Sequence, residues 1–347
     1  MSNDQKPKVL KLGRVLHAQD DLDKLAEVAD IIHSKAENRD EFLEECRSGA
    51  FDGVKAIYRT WGSAKFTGLF DEELVNALPE SIKFISHNGA GYDQIDVKAC
   101  TARKVSVSNV PTVVNDATAD MTMFLLLGCL RNLPASMAAL RRGEWSGDTA
   151  LGHDPRGKIL GILGMGGIGR NLADKARAFG MKIRYHNRNQ LDPEKEEGAE
   201  YVDFDTLLAE SDVLSLNLPL NPDTRHTIST AEFAKMKRGI VVVNTSRGPV
   251  MDEAALVAAL DDGTVASAGL DVFEDEPRVH EGLLRNDAVL LVPHMGTHTV
   301  ETRRRMEAWT ISNVRKAALD GAFKTIVPEQ RDLEKELLSK RKADAMN

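Results

Sequence analysis

Apolar runs and helical patterns alternate along most of this chain. In its first third, four short runs of apolar and β-branched residues predict strands: KVLKLG (8–13), VKAIYR (54–59), IKFISH (82–87) and VSVSNV (105–110). Helical patterns separate them, and the one at 71–78 is ended by Pro79. Strands that alternate with helices are typical of an α/β protein with a parallel sheet.

A second series of strand patterns begins after a long apolar helix pattern at 116–133. Six strands with short crossovers predict a Rossmann-type sheet. A last apolar helix pattern covers about 300–319. The six runs are KILGILG (158–164), KIRYHN (182–187), VLSLNLP (213–219), GIVVVNTS (239–246), ASAGLDV (266–272) and VLLVPH (289–294).

This order predicts that one domain is inserted into another. We expect an α/β fold with two doubly wound parallel-sheet domains, in which a Rossmann cofactor domain interrupts a flavodoxin-like substrate domain. The predicted bounds are 1–115 with 305–347 for the substrate domain and 116–304 for the dinucleotide-binding domain. A cleft between two such domains is the expected ligand site.

Composition narrows the class of protein. The 347 residues are 42% hydrophobic and 28% charged, as in globular proteins, and at about 100–200 residues per domain we expect two domains. The net charge of −8 offers nothing that attracts DNA phosphates or anionic lipids. We see no apolar leader and no stretch near the ~18–20 apolar residues of a membrane span. Three widely spaced cysteines disfavour disulfides and a metal site, so we expect a cytoplasmic protein without metal, nucleic acid or membrane.

The stretch GILGMGGIGR places Gly164, Gly166 and Gly169 in G-x-G-x-x-G spacing. The motif alone is weak, because a plain turn between a strand and a helix would also explain it. Here a predicted strand precedes it and a predicted helix at 170–179 follows, which is the context of a dinucleotide-binding loop. Such a loop holds the pyrophosphate at the helix N-terminus. The residues expected to contact the cofactor are Gly164, Met165, Gly166, Gly167 and Ile168.

The next strand ends where this fold reads the adenosine ribose. Asn187 lies 18 residues after Gly169, at the position where an Asp or Glu binds the ribose of NAD(H). Arg188 would pair with a 2′-phosphate, and Asn187 and Asn189 would add uncharged donors. A solvated loop arginine is the other interpretation. With no acid at 187–189, we expect NADP(H) to be preferred and NAD(H) to be the second option.

Three later strands end in polar side chains. Arg247 follows one strand in NTSRGPVMDE, the acids Glu274, Asp275 and Glu276 follow the next in GLDVFEDEP, and His294 ends the last in LVPHMGTHT. The carboxyl ends of parallel strands meet at one edge of a sheet. Singly, such residues usually face water or serve the structure. Together, beside a nucleotide-binding loop, an arginine, a carboxylate and a histidine indicate a catalytic site.

Over about 50–325 the chain resembles the D-isomer-specific 2-hydroxyacid dehydrogenase family, most closely its glyoxylate/hydroxypyruvate reductase branch. Fungal members of the family, including D-mandelate dehydrogenase, are similar in the GHDPRGK approach to the glycine loop. The motifs that carry the resemblance are NGAGYD (88–93), NDATADMTMFLLL (115–127), GILGMGGIG (161–169), NTSRGPVMDE (244–253) and GLDVFEDEP (269–277).

The resemblance implies a role for each catalytic residue. In this family the glutamate immediately precedes a proline, which selects Glu276 over Glu274. Hydride would move from the nicotinamide to the 2-oxo carbon while protonated His294 gives a proton to the carbonyl oxygen. Glu276 would pair with this imidazole and stabilise its protonated form. Arg247 would bind the substrate carboxylate and polarise the 2-oxo group.

Further contacts are implied by motif position. NGAGYD would hold the carboxylate through the N–H groups of Ala90 and Gly91, although a simple turn would also explain these glycines. The RTWG stretch places Arg59 and Trp61 near the expected substrate pocket. Trp61 would be a rim residue, narrow the pocket or stack on an aromatic substrate. The remaining cofactor contacts would be Thr118, Leu218, Pro219, Thr245, Asp271 and Gly296.

Two other residues draw separate expectations. HMGTHT departs from the usual run in this family by a second imidazole, His298, which we interpret as structural or as a support of the site residues, because one proton donor suffices. Trp145 lies in the segment before the glycine loop, which in this family often reaches the partner subunit. We therefore expect a homodimer formed through the cofactor domain.

The leading hypothesis is an NADPH-dependent reductase that converts a small 2-oxo acid, glyoxylate or hydroxypyruvate, into the D-2-hydroxy acid. One alternative is a dehydrogenase for D-mandelate or another aromatic 2-hydroxy acid that uses NAD. Another is a non-catalytic dinucleotide sensor, similar to the corepressor relatives of this fold. The intact set of Arg247, Glu276 and His294 argues against the sensor.

Overall fold

The chain divides into two compact units in the computed structural model, which describes residues 6–145 and 148–336. Unit 1 comprises Met1–Val113 and Thr299–Asn347, and unit 2 comprises Val114–His298. Each unit is built around its own parallel β-sheet. The predicted α/β class, with two parallel-sheet domains, is confirmed.

Unit 1 contains a five-stranded parallel sheet in the spatial order β2-β1-β3-β4-β5. This is the flavodoxin-like order, which changes direction between β1 and β3. The sequence pattern missed β2, because its four residues lie at the sheet edge and none is fully buried. The strands are β1 (Lys8–Leu12), β2 (Asp30–His33), β3 (Val54–Thr60), β4 (Phe84–Asn88) and β5 (Ser106–Ser108).

Both faces of this sheet are covered, because successive strand residues point to opposite sides. Leu10 and Ile57 belong to one buried cluster, whereas Val9 and Tyr58 belong to another. Several of the covering helices begin at a side chain that accepts a backbone N–H, as at Asp71. The helices within residues 6–113 are α1 (Gln19–Ala26), α2 (Arg39–Arg47), α3 (Ala64–Thr67), α4 (Glu72–Ala77) and α5 (Val97–Ala102).

Unit 2 contains a seven-stranded parallel sheet in the order β12-β11-β10-β9-β6-β7-β8. Read from β8 to β11, this is the 3-2-1-4-5-6 order of the Rossmann fold, with β12 added. The sequence pattern missed β8, an edge strand of two residues. The strands are β6 (Ile159–Leu163), β7 (Lys182–His186), β8 (Glu200–Tyr201), β9 (Val213–Leu216), β10 (Ile240–Asn244), β11 (Val265–Leu270) and β12 (Val289–Leu291).

The single helix predicted at 116–133 is wrong at its C-terminal end. The first helix stops at Leu130, because Asn132 adopts a left-handed φ of 50° and Pro134 occupies the first turn of a second helix. The helices of unit 2 are α6 (Asn115–Leu130), α7 (Leu133–Arg141), α8 (Gly167–Ala178), α9 (Pro193–Glu196), α10 (Phe204–Glu210), α11 (Thr230–Phe233), α12 (Glu253–Asp261) and α13 (Glu281–Leu284).

The chain then returns to unit 1 as α14 (Val300–Asp320). Its buried Glu307 accepts the backbone N–H groups of His17 and Ala18, at 2.7 and 2.9 Å, just before α1. Over the described ranges, no single helix is both long and apolar enough to cross a membrane. Only α6 and α7 together pass by length and composition, as a pair bent by 71°, and α6 is largely buried.

The strands of unit 2 all run in the same direction, so their carboxyl ends share one edge. We call this the carboxyl edge of unit 2. The glycine loop follows β6, and the loops that carry Arg247, Glu276 and His294 follow β10, β11 and β12. Parallel topology therefore delivers the predicted residues to one edge, as in other open α/β sheets.

Candidate active site

His294 and Glu276 form an ion pair at the carboxyl edge of unit 2. Nδ1 of His294 lies 2.9 Å from Oε2 of Glu276, although 18 residues separate them along the chain. They meet because β11 and β12 are paired neighbours in the sheet. The side chains are 36% and 25% exposed, so the pair is open to a small molecule.

The protonation of this pair follows from its surroundings. Burial acts to raise the pKa of Glu276, but the hydrogen bond from His294, its charge, the Phe273 N–H and the Arg247 charge lower the pKa overall. The Phe273 N–H lies 3.1 Å from Oε1. An ionised carboxylate only accepts hydrogen bonds, so Nδ1 of His294 is the donor. Nε2 is then the ring nitrogen that would exchange a proton with a substrate.

Asp271 holds the turn that carries His294. The His294 backbone is left-handed, with φ of 55°, and its N–H donates to the Asp271 carbonyl at 2.8 Å. The Asp271 carboxylate is 1% exposed and accepts the N–H of Met295 and, at 2.7 Å, that of Gly296. Burial, with the charge of Glu276, raises the pKa of Asp271 despite these hydrogen bonds and the charge of His294. Asp271 therefore faces backbone groups of this turn.

Arg247 leaves β10 in a loop that packs on the loop of Glu276. A Cβ at Gly248 would lie 1.9 Å from the carbonyl carbon of Phe273, so only glycine fits there. The Arg247 carbonyl accepts a hydrogen bond from Asn244 Nδ2 at 2.9 Å. The charge of Arg247 contributes to the lowered pKa of Glu276. The structure thus brings Arg247, Glu276 and His294 to one edge of unit 2.

The glycine loop opens directly into α8. Gly166 is the N-cap and has no side chain to bond the first N–H groups, which lack partners within a helix. Gly164 has φ of 101°, and a Cβ at Gly169 would lie 2.6 Å from the carbonyl oxygen of Gly164. A Cβ at Gly166 would meet no described atom within 4 Å. The open space at a helix N-terminus fits the pyrophosphate of a dinucleotide.

The residues around Asn187, the predicted ribose contact, differ in their exposure to solvent. Met165 is 2% exposed, and its N–H donates to Asn187 Oδ1 at 2.7 Å. The structure therefore places the Met165 side chain in the core. The Tyr201 hydroxyl donates to the Asn187 carbonyl at 3.2 Å. Arg188 and Asn189 are exposed, and Arg188 makes no hydrogen bond or ion pair with any residue that the structure describes.

The other predicted cofactor contacts lie along the same edge. A Cβ at Gly296 would lie 3.4 Å from the Thr118 methyl group. The Thr245 hydroxyl lies within hydrogen-bond distance, 2.8 Å, of the hydroxyl of Thr122 on α6. Leu218–Pro219 follows β9, and the Leu218 side chain would lie 3.2 Å from a Cβ at Gly164. Each of these contacts with a cofactor stays a prediction.

The NGAGYD loop follows β4 at the carboxyl end of the unit 1 sheet. Two of its carbonyl groups accept hydrogen bonds: that of Ala90 from Asn109 Nδ2 at 2.6 Å, and that of Gly89 from the Val110 N–H at 2.9 Å. The N–H groups of Ala90 and Gly91 make no hydrogen bond within residues 6–145 and 148–336. This loop therefore presents two backbone donors, as a carboxylate-binding loop requires.

Arg59 lies inside unit 1. Its side chain is 0% exposed, donates to Gln94 Oε1 at 2.8 Å and lies 4.8 Å from the centre of the Phe70 ring. Burial lowers the pKa of Arg59 to about 10, although the charge of Asp93 acts to raise it. This burial does not support the expected contact between Arg59 and a substrate. Trp61 follows β3 in a 3₁₀ turn and is partly exposed. Its position at the rim of a substrate pocket stays a prediction.

Three further expectations concern His298, Trp145 and metal binding. The His298 side chain is exposed and makes no hydrogen bond within the described part of the chain. Trp145 is 80% exposed, and the two residues that follow it lie outside the described ones. Among residues whose positions are described, no three His, Cys, Asp or Glu side chains are grouped to hold a metal.

Sequence reasoning missed His226, which lies 2.5 Å from Glu274. The two residues are 48 positions apart and follow different strands. No local pattern marks His226, since it lies in a loop without a glycine motif. Only the order of strands in the sheet brings it to Glu274.

Comparison with known proteins identifies the family. A family profile described as "D-isomer specific 2-hydroxyacid dehydrogenase, NAD binding domain" matches residues 123–296. The chain is 54% identical over 327 residues to 4-methyl-2-oxopentanoate reductase A of Aspergillus oryzae, covering 94% of this chain and 99% of that protein.

Solved structures agree with this match. A glyoxylate reductase from Paecilomyes thermophila is 54% identical, with a TM-score of 0.92 over 94% of this chain and 99% of that one. Holo D-mandelate dehydrogenase of Rhodotorula graminis is 33% identical, with a TM-score of 0.88 over 93% and 98%. An NADPH-dependent glyoxylate/hydroxypyruvate reductase of Sinorhizobium meliloti, solved with NADP and malonate, is 31% identical, with a TM-score of 0.82 over 94% and 98%. The chain therefore belongs to the D-isomer specific 2-hydroxyacid dehydrogenases, a family of NAD(P)-dependent oxidoreductases.

Proposed function

We propose that this enzyme uses NADPH to reduce a small 2-oxo acid to the D-2-hydroxy acid, with His294 as the proton donor. The observation that carries the proposal is the 2.9 Å ion pair between His294 and Glu276. It stands on the same sheet edge as Arg247 and the glycine loop, so a proton donor, an anion-binding cation and a nucleotide-binding loop occur together.

Each side chain has a separate task in the reduction. The Arg247 guanidinium is a planar fork that matches a carboxylate, and its charge stabilises the negative charge that develops on the 2-oxo oxygen. Protonated His294 gives the proton on Nε2 to that oxygen. Ionised Glu276 holds Nδ1 and stabilises the imidazolium. When the hydroxy acid is oxidised, His294 takes the same proton back.

A dinucleotide fits the residues of the glycine loop. The space beside Gly166 is open, and the first N–H groups of α8 point toward it without a capping side chain. A bound reduced nicotinamide supplies the hydride. Asn187 keeps the loop in this shape by accepting the Met165 N–H.

The preference for NADPH is argued from Arg188. Its guanidinium is exposed and has no acidic partner within the described ranges, which leaves it available to a 2′-phosphate. Asn187 and Asn189 replace the acid that would bind the ribose hydroxyls of NAD(H) and repel the phosphate. The Sinorhizobium meliloti relative that was solved with NADP supports this choice.

Glyoxylate and hydroxypyruvate are the proposed substrates. Support comes from the resemblance to glyoxylate reductases, including one that is 54% identical over nearly its whole length. An aliphatic 2-oxo acid such as 4-methyl-2-oxopentanoate is the second candidate, because a reductase for that acid is equally similar. Aromatic acids rank third, since the D-mandelate dehydrogenase is 33% identical.

The direct test measures the loss of reduced nicotinamide absorbance with purified enzyme. NADPH and NADH are each offered with glyoxylate, hydroxypyruvate, 4-methyl-2-oxopentanoate and phenylglyoxylate. We expect the highest kcat/KM with NADPH and one of the first two acids. Failure to oxidise either cofactor with any of the four acids would contradict the proposed reaction, and a highest kcat/KM with another acid would replace the substrate.

We also propose that the enzyme is a homodimer formed through the cofactor domain. Leu133, Met137 and Leu140 lie on one face of α7, at intervals of four and three residues, and are 40%, 43% and 56% exposed. Trp145 and Leu151, which follow, are 80% and 94% exposed. An apolar helix face of this kind is typical of a surface that a partner subunit covers.

A further inference from the structure

Glu274 joins three loops at the carboxyl edge of unit 2. Its Oε1 lies 2.5 Å from His226 Nε2 and accepts a hydrogen bond from Arg225 Nη2 at 3.2 Å. Its Oε2 accepts the Glu253 N–H at 3.2 Å, and its own N–H donates to Glu253 Oε1 at 2.7 Å. Arg225 and His226 follow β9, Glu253 begins α12 after β10, and Glu274 follows β11. A single carboxylate thus connects the loops of three neighbouring strands.

This junction encloses the loop that carries Arg247. On one side, the His226 N–H donates to the Pro249 carbonyl at 2.8 Å. On the other side, Gly248 packs so closely on the next loop that a Cβ would lie 2.4 Å from the Glu274 nitrogen. The Arg247 loop therefore lies between His226 and the backbone of Glu274. The contact between the Glu274 side chain and His226 connects these two sides.

The same junction reaches the partner of His294. Glu276 is two residues after Glu274 in the same short loop, and its Oε1 accepts the N–H of Phe273. The loop is consequently attached to β11 at one side and to the start of α12 through Glu253 at the other. Moving Glu274 would shift the Glu276 loop against the loop of Arg247.

Removing this carboxylate would leave polar groups without partners. The Glu274 side chain is 23% exposed and that of His226 is 35% exposed, so water reaches them only in part. Glu253 is 6% exposed, and burial raises its pKa, although the N–H that Glu274 donates acts to lower it; the charge of Glu274 adds to the rise. A partly buried N–H that loses its acceptor must find another by moving, which costs free energy and displaces the loop.

We propose that Glu274, acting through His226 and Glu253, is a positioning residue that sets the distance between Arg247 and the pair of Glu276 and His294. The inference rests on the proposed function, because that reaction needs the carboxylate held by Arg247 while His294 reaches the 2-oxo oxygen. A displacement of about 1 Å in such a site can cost about 10²-fold in rate.

The primary test compares Glu274→Ala with Glu274→Gln in the full-length enzyme, using the 2-oxo acid and cofactor that the wild type uses best. We expect Glu274→Ala to lower kcat/KM for the acid by about 10- to 100-fold, with KM raised because Arg247 is displaced. The Kd for that cofactor in its reduced form, measured by fluorescence titration, should stay at the wild-type value. Glu274→Gln should recover most of kcat/KM, because an amide oxygen still accepts the Glu253 N–H.

Asp275→Ala is the matched control. Asp275 is the next residue, carries the same charge and is 66% exposed, with an ion pair to Arg278, which is 82% exposed. It takes no part in the junction, so its kinetic constants should equal those of the wild type. Loss of activity in this control equal to that of Glu274→Ala would overturn the positioning role.

His226→Asn tests the other side of the junction and serves if Glu274→Ala does not fold. His226 has φ of 51°, a conformation that asparagine tolerates, so the change removes the imidazole with little backbone strain. We expect a rise in KM for the acid, and a combined loss smaller than the sum of the two single losses when His226→Asn is added to Glu274→Ala, since the two side chains share one contact. Additive losses would contradict the coupling.

The outcomes separate this inference from the proposed function. A wild-type enzyme that reduces no 2-oxo acid ends the proposed function itself. An active wild type whose Glu274→Ala and His226→Asn variants keep the wild-type KM and kcat ends only the positioning role of Glu274. A fall in kcat/KM that glutamine does not recover would also overturn it.

Discussion

At the scale of single residues, His294 combines a left-handed backbone conformation with a side chain that is hydrogen-bonded to Glu276. Its left-handed φ is maintained by the hydrogen bond from its N–H to the Asp271 carbonyl and by the two N–H groups bound to the Asp271 carboxylate. Such conformations persist only where the surroundings hold them. The imidazole is therefore presented to Glu276 in one orientation, which a proton donor requires.

His294→Asn removes the proposed proton donor and keeps the backbone, because asparagine tolerates a positive φ. We expect kcat to fall by about 10²-fold or more, the range for a lost general acid, while NADPH binding persists. Steady-state kinetics and fluorescence titration measure the two quantities. The control is His298→Asn, whose exposed imidazole should be dispensable; equal losses in both variants would contradict the assignment of His294.

Arg188→Asp replaces the proposed phosphate partner with the acid that reads a ribose. We expect the ratio of kcat/KM for NADPH to that for NADH to fall by about 10-fold or more, because a charge-assisted pair becomes a repulsion. The exposed Arg285, which pairs with Glu281, supplies the control Arg285→Asp. An unchanged ratio in Arg188→Asp would mean that Arg188 does not bind the phosphate.

Glu253→Gln tests a buried carboxyl through the pH dependence of stability. Burial raises the pKa of Glu253, so the folded state favours its protonated form. The stability from this group is complete below the unfolded pKa of about 4.3 and is lost as the pH rises through the folded pKa. We expect the Tm of the variant, relative to the wild type, to increase from pH 4 to pH 7; a constant difference would contradict this.

At the scale of elements, the site is a set of loops that leave parallel strands at one edge. The central strands β6, β10 and β11 are mostly buried, and the chain features differ from loop to loop: the glycine loop follows β6, Arg247 follows β10, Glu276 follows β11 and His294 follows β12. Pairing between neighbouring strands sets which loops meet. This is why residues from distant parts of the sequence form one arrangement.

Two glycines of one loop should respond differently to alanine. A Cβ at Gly166 would meet nothing within 4 Å among the described atoms, so Gly166→Ala should keep the wild-type Tm but weaken NADPH binding where the phosphates approach. A Cβ at Gly169 would lie 2.6 Å from a backbone oxygen, so Gly169→Ala should lower the Tm. Thermal unfolding and titration separate the effects, and the reverse pattern would contradict this view of the loop.

At the scale of the whole molecule, the exposed apolar face of α7 predicts association. Met137→Asp combined with Leu140→Asp should convert the proposed dimer into a monomer, because burying two carboxylates in an apolar interface costs several kcal/mol. Light scattering after size-exclusion chromatography measures the mass. Leu284→Asp is the control, because Leu284 on α13 of the same unit is also exposed, at 62%. A dimer that survives the double change would mean that another surface carries it.

The sequence by itself determined the class of fold, the glycine loop and the residue types of the site. Strand and helix patterns reflect burial on one or two faces, which is a local property of the chain. Glycine spacing, and the polar residues that follow buried strands, are local as well. These signals predict the Rossmann sheet and mark Arg247, Glu276 and His294 as candidate site residues.

Only the tertiary structure decided which of these residues touch and which are enclosed. It paired Glu276 with His294, tied Glu274 to His226 and enclosed Arg59 beside Gln94. It also revealed the edge strands β2 and β8, whose partial burial leaves too weak a pattern to read, and the helix break at Asn132, where the left-handed backbone separates two consecutive helices. The physical reason is that such contacts join positions far apart in sequence, and the order of strands in the sheet sets their distances.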